Sequence, residues 1–146
     1  MIKIDYPIHS FKIREEENKK VIFDEFRRLW VSLTDEEWVR QNFLQYLVQV
    51  RQYPSTLIAV EKEIRLGELK KRFDILVYNA GHKPWMMIEC KAMEVVLTEN
   101  VLHQVLRYNQ SVPVPFLVIT NGKHMIGFER KDSSLIMLNE LPSLTS

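Results

Sequence analysis

The chain has 146 residues, 46 % hydrophobic and 27 % charged, which suits one soluble globular domain with its own core and leaves no room for a second. Its formal net charge of +1 is not the basic footprint of a protein that grips a duplex mainly through phosphates. No run of about 18 apolar residues occurs and the first residues lack a signal-peptide stretch, so membrane spanning and export are not expected and the cytoplasm is the default address.

Cys90 is the single cysteine, so no internal disulfide can form, and His9, His82, His103 and His124 are scattered without zinc-ligand spacing. Phe11-Lys12-Ile13-Arg14 and Lys20-Val21-Ile22-Phe23-Asp24 flank the charged turn Glu15 to Lys19, which predicts an N-terminal β-hairpin over about 10–24. Arg27 to Trp30 continues it as a short or irregular strand. From Asp35 to Arg51, Trp38, Phe43, Leu44, Leu47 and Val48 recur at helical spacing. Thr34-Asp35-Glu36-Glu37 has the capping-box pattern, in which Glu37 reaches back to the cap residue's amide.

Pro54 ends that helix, and Thr56 to Arg65 reads as the first core strand, with Glu61 and Glu63 as additional acids near the site or, more simply, at a solvated strand edge. Lys71 to Tyr78 and Pro84 to Lys91 form two apolar runs folded about Gly81. Thr98 then caps a second helix to Gln110, whose Leu102, Val105 and Leu106 face the sheet. Phe116 to Thr120 is a buried strand, and Asn121-Gly122 a two-residue turn into His124 to Phe128. Ser134 to Leu138 adds a last strand before a polar end that can stay disordered. This order predicts an α/β fold, a mixed central β-sheet flanked by helices, in one domain over 1–146 with its core at about 34–128. The four glycines, Gly67, Gly81, Gly122 and Gly127, form no phosphate-binding G-x-x-x-x-G-K-[ST] loop, so an ATP-driven motor is excluded.

The central hairpin carries the chemistry. Strand side chains alternate between faces, so Glu89 and Lys91 point one way while Ile88 and Cys90 point the other. Asp74 falls opposite Ile88 or Glu89, and only the second register places both carboxylates on one face. Two carboxylates about 4 Å apart repel by roughly 4 kcal/mol at an effective dielectric near 20, so one takes a proton or a cation joins them. Hard oxygen ligands open on one side suit Mg²⁺ or Mn²⁺. The same residues also fit an exposed Asp and a Glu-Lys pair on a half-solvated sheet. Lys70-Lys71-Arg72 just before the site, with Arg107 on the second helix, offers phosphate contacts, or simply a solvated strand entry.

Asp74, then Glu89-Cys90-Lys91, then Gln104 to Tyr108, together with Glu37-Trp38-Val39-Arg40 and Thr120-Asn121-Gly122, resemble the PD-(D/E)xK nuclease superfamily. More narrowly, the stretch from about Thr34 to Gly122 is similar to the N-terminal endonuclease domain of the type I restriction enzyme R subunit. Phe73 stands where the superfamily name has Pro. The resemblance implies a restriction-endonuclease-like core. It makes Asp74 and Glu89 metal ligands, the Cys90 carbonyl a third oxygen, and Glu37 a contributor to the metal shell through water. Lys91 would orient or activate the attacking water, and Gln104 and Tyr108 would form the Q-x-x-x-Y feature beside it, with Lys71, Arg72 and Arg107 toward nucleic acid. The implied function is Mg²⁺- or Mn²⁺-dependent hydrolysis of DNA within a restriction-modification system. Cutting both strands would need a homodimer or a separate partner protein. The alternative is a non-catalytic nucleic-acid-binding or assembly module that keeps the fold.

Overall fold

The computed structural model describes residues 1–110 and 112–144. Its main sheet has seven strands: β1 (Ile2–Lys3), β5 (Ile58–Leu66), β6 (Leu69–Tyr78), β7 (Pro84–Cys90), β8 (Phe116–Thr120), β9 (His124–Lys131) and β10 (Ser134–Met137). They run in the order β1-β9-β8-β7-β6-β5, with β10 also paired to β9. Every pairing is antiparallel except β7 with β8. A parallel pair needs a crossover, and α2 (Glu99–Tyr108) supplies it. The mixed sheet flanked by two helices is the architecture that the element order predicts.

A second sheet, β2 (Ile13–Glu16), β3 (Lys19–Asp24) and β4 (Leu29–Ser32), precedes the core. Glu17 and Asn18 form its first turn, both with positive φ, the conformation that a two-residue hairpin demands. Its third strand is regular because Asp24 builds the second turn. The Asp24 carboxylate accepts the amides of Phe26 at 2.7 Å and Arg27 at 3.1 Å.

Helix α1 (Asp35–Gln45) starts at Thr34, whose hydroxyl accepts the Glu37 amide at 3.0 Å. The α-helix expected to run to Arg51 instead widens into a π-helical turn, Tyr46–Val50, in which the Arg51 amide reaches the Tyr46 carbonyl. Phe43, Leu44 and Leu47 pack on one face of the sheet against Ile75, Val77, Met86 and Ile88. Leu97 and Val105 pack on the other face against Leu76, Met87, Leu117 and Ile119. Alternation along β7 therefore sets Met86, Ile88 and Cys90 toward α1 and Met87 toward α2, and Glu89 shares the α2 side with Met87.

Two other expectations change. The β8–β9 turn runs one residue late: Thr120 still pairs with Met125, so Gly122 and Lys123 are its central residues. Asn121 Oδ1 holds it by accepting the Lys123 and His124 amides, each at 3.0 Å. The tail also docks at Leu141 and Pro142. Leu141 is buried, and the Leu141 and Pro142 carbonyls accept from Arg51 at 2.6 Å and Tyr53 at 2.5 Å. Among the described residues, no helix is long and apolar enough to cross a membrane.

Candidate active site

The β6–β7 ladder pairs Val77 with Met86, Leu76 with Met87 and Ile75 with Ile88, so its next step sets Asp74 across from Glu89. Here the two strands part. Beyond this point β6 pairs with β5 alone, through Phe73 with Lys62 and Arg72 with Glu63, while β7 ends at Cys90. The opening is a cleft of about 330 Å³ lined by Glu61, Arg72, Asp74, Glu89, Lys91, Gln104, Val105, Tyr108 and Asn109. Gln104 and Tyr108 stand four residues apart on α2, which puts both on the helix face that closes the cleft. The Lys91 amide donates to the Thr120 carbonyl at 2.8 Å, so the residue after β7 stays anchored to β8.

Asp74 is fixed by two donors. The Cys90 amide donates to Oδ2 at 2.7 Å, and Arg40 Nη2 to Oδ1 at 3.1 Å. Glu89 makes no ion pair among the described residues. Burial pushes its carboxyl up to about 8, helped by the charge of Asp74 and a hydrogen bond to it, against a smaller opposing effect of Lys91. Without a metal the pair therefore shares a proton near neutral pH. Among the described residues, Lys91 makes no ion pair, which leaves its ammonium free at the cleft wall.

Arg40 belongs to the Glu37-Trp38-Val39-Arg40 landmark, but the sequence reading assigned it no role at the site. It is only 6 % exposed, and its guanidinium meets Glu37 at 2.6 Å, Glu61 at 2.7 Å, Asp74 at 3.1 Å and Glu36 at 3.5 Å. Glu61 also belongs to the site rather than to a solvated edge. Its φ of +53° is a left-handed conformation that a glutamate adopts at some cost. The distortion sits where the β5–β6 ladder skips a rung, between Val60/Ile75 and Lys62/Phe73, opposite Asp74. From there Glu61 reaches both Arg40 and Arg72, the latter at 2.7 Å.

Residues 35–142 match the family described as type I restriction enzyme R protein N terminus. The chain belongs to that family. No curated protein matches it. The match starts at α1 and takes in the whole cleft, while the β2-β3-β4 sheet of this R-protein N-terminal chain precedes it. Membership gives the chain a restriction-enzyme-related role.

Three residues that the sequence placed at the site of this family member lie elsewhere. Glu37 neither closes a reciprocal capping box nor lines the cleft. The Thr34 amide donates to the Ser32 carbonyl, and the Glu37 carboxylate accepts from Arg27 at 3.0 Å, Arg40 at 2.6 Å and Gln41 at 3.0 Å. Lys71 is buried, its ammonium donating to the Tyr108 carbonyl at 2.5 Å and lying 3.4 Å from the centre of that ring. It anchors α2 and is not offered to phosphate. Strand alternation was the missed signal, because adjacent Lys71 and Arg72 must face opposite ways. Arg107 lines a separate hollow with His103, Gln110 and Arg130, on another side of α2.

Among the described residues, no three His, Cys, Asp or Glu side chains are arranged to hold a metal ion. Mg²⁺ requires less. It keeps several waters and binds through one or two carboxylates, and Asp74 with Glu89 supplies two on one cleft wall. The Glu89 carboxyl, pushed up by burial and by the charge of Asp74, is the group that a divalent cation would relieve. The donor set fits a hard cation with a largely aqueous shell.

Proposed function

We propose that this chain is a Mg²⁺-dependent, or Mn²⁺-dependent, nuclease domain with a PD-(D/E)xK-type core, hydrolysing phosphodiester bonds of DNA. The observation that carries the reading is the register of β6 on β7, which aligns Asp74 with Glu89 and leaves Lys91 free in the same cleft. Family membership supports a restriction-enzyme setting.

Asp74 and Glu89 would hold the metal, with the Cys90 carbonyl as a third oxygen. When bound, the cation polarises the scissile phosphate and makes its coordinated water a better nucleophile. Glu89 gives up its proton on loading. Lys91 would donate hydrogen bonds toward the oxygens that gain charge as the water oxygen joins phosphorus and the bond to the leaving sugar oxygen breaks, the water's proton passing to solvent and the leaving oxygen taking one from solvent. Gln104 and Tyr108 form the opposite wall, orienting the Lys91 ammonium and the strand. Arg72, exposed beside Asp74, contacts a neighbouring phosphate. One such site nicks one strand, so a double-strand cut takes a second copy or a partner protein.

The test is supercoiled plasmid with purified protein. Nicking that requires Mg²⁺ and is lost in Asp74→Ala and Lys91→Ala supports the reading; nicking that persists in both variants comes from another enzyme and refutes it.

One observation favours a second reading, a DNA-binding or assembly module without turnover: Arg40 already neutralises Asp74. Equal DNA binding with and without Mg²⁺, and no cleavage, would support that alternative.

A further inference from the structure

Arg40 stands where a cation is wanted. Four carboxylates converge on its guanidinium, and two of them have a second positive partner: Glu37 also meets Arg27 at 3.0 Å, and Glu61 also meets Arg72 at 2.7 Å. Asp74 has no other positive partner among the described residues. The Arg40 Nε atom is buried without an acceptor, so carboxylates fill only part of the shell that this guanidinium needs. Glu61 is held toward it by the left-handed turn in β5. A buried arginine in this setting compensates acids that would otherwise repel one another across the opened strands.

We propose that Arg40 is a tethered counter-cation of the metal-free site, holding Asp74 and Glu61 together until a divalent ion takes over Asp74. This inference rests on the metal-site reading above and extends it to the control of loading. A guanidinium and a divalent cation compete for the same Asp74 oxygens, and each raises the electrostatic cost of the other. The metal-free domain stays folded because Arg40 supplies charge where the ion will sit. Metal affinity is held down by the same contact, so loading favours conditions in which a substrate phosphate brings further negative charge to the cleft. Arg40 touches no reacting atom, so it is a positioning residue.

Calorimetric titration of Mn²⁺ into wild type, Arg40→Gln and Arg40→Lys tests this, with thermal melts of each protein in chelator and in Mn²⁺. Arg40→Gln is expected to bind Mn²⁺ about tenfold tighter than wild type, to melt lower in chelator, and to gain more Tm on adding Mn²⁺. Arg40→Lys keeps the charge but cannot serve Glu37, Glu61 and Asp74 from one fork, so it falls between the two. It also carries the test if the Gln variant does not fold. Wild-type or weaker affinity in every folded variant, with Tm loss equal in chelator and Mn²⁺, overturns the proposal while leaving the metal site standing. Absence of Mn²⁺ binding in all three proteins overturns the metal site itself, and this inference with it.

Discussion

Asp74 and Glu89 stand one step beyond Ile75 and Ile88, the last paired rung of the β6–β7 ladder; the Cys90 amide and Arg40 hold Asp74, while Glu89 makes no ion pair among the described residues. That asymmetry sets the chemistry of the cleft. Asp74 is fixed as an anion, and Glu89 is the group that must exchange a proton for a metal.

Stability in the absence of divalent metal should fall as pH rises. Glu89 is pushed up to about 8 from an ordinary value of 4.5, so between these limits the folded chain binds a proton that the unfolded chain has lost. The contribution is fully present below about 4.5 and is lost as pH rises through about 8, at up to about 1.4 kcal/mol per pH unit. Glu36, also raised by burial and by Asp74, acts with the same sign. Denaturant melts in chelator between pH 5 and about 9 measure this. Glu89→Gln should flatten most of the slope; an unchanged slope in that variant would assign the effect to other groups.

Lys91→Ala should separate binding from turnover. With the two carboxylates intact, Mn²⁺ affinity should stay within about threefold of wild type, while plasmid nicking falls about 100-fold or more, the scale of losing one donor to a developing anion. Parallel loss of both would make Lys91 a structural residue.

Lys71 and Arg72 should behave oppositely although they are neighbours. Lys71→Met removes the buried ammonium that ties β6 to the Tyr108 carbonyl, and should cost about 2 kcal/mol of stability without changing the salt dependence of DNA binding. Arg72→Ala should leave stability nearly unchanged and lower the salt slope by about 1. Anisotropy titrations of labelled DNA at several salt concentrations decide between them.

Gly122→Ala tests how α1 is seated against the β8–β9 turn. Gly122 has φ +88°, and a Cβ there would meet Val39 Cγ2 at 3.1 Å. Strain and crowding together should cost about 1–3 kcal/mol. A stability change below about 0.5 kcal/mol would mean that the turn adjusts freely.

Much of this architecture was legible in the chain because its core strands are strongly apolar and its helices are well capped. The central hairpin shows why: alternation in Met86-Met87-Ile88-Glu89-Cys90 ties Glu89 to one face, and the turn then leaves only two registers for Asp74. What was not legible depends on contacts distant in sequence. Arg40 sits 34 residues from Asp74, and although it belongs to the Glu37-Trp38-Val39-Arg40 landmark, nothing in the helix pattern tells that its guanidinium turns inward to the acids. Glu61 looks like any solvated strand acid until the local backbone turns it inward. Glu37 carries a capping-box signature that its own carboxylate does not honour, because Arg27 and Arg40 compete for it more strongly than a single amide. The tail looked polar, and buried Leu141 with the hydrogen bonds from Arg51 and Tyr53 docks its stretch at Leu141 and Pro142.

The most direct measurement is calorimetric titration of Mn²⁺ into the wild type and Asp74→Asn at pH 8, where Glu89 is easily deprotonated. A shared cation site requires saturable binding near one ion per chain in the wild type, with release of about half a proton at this pH, and binding weakened at least about tenfold in Asp74→Asn. Equal affinity in the two proteins, or no binding to either, would contradict the pairing of Asp74 with Glu89 as a metal site and with it the proposed hydrolysis.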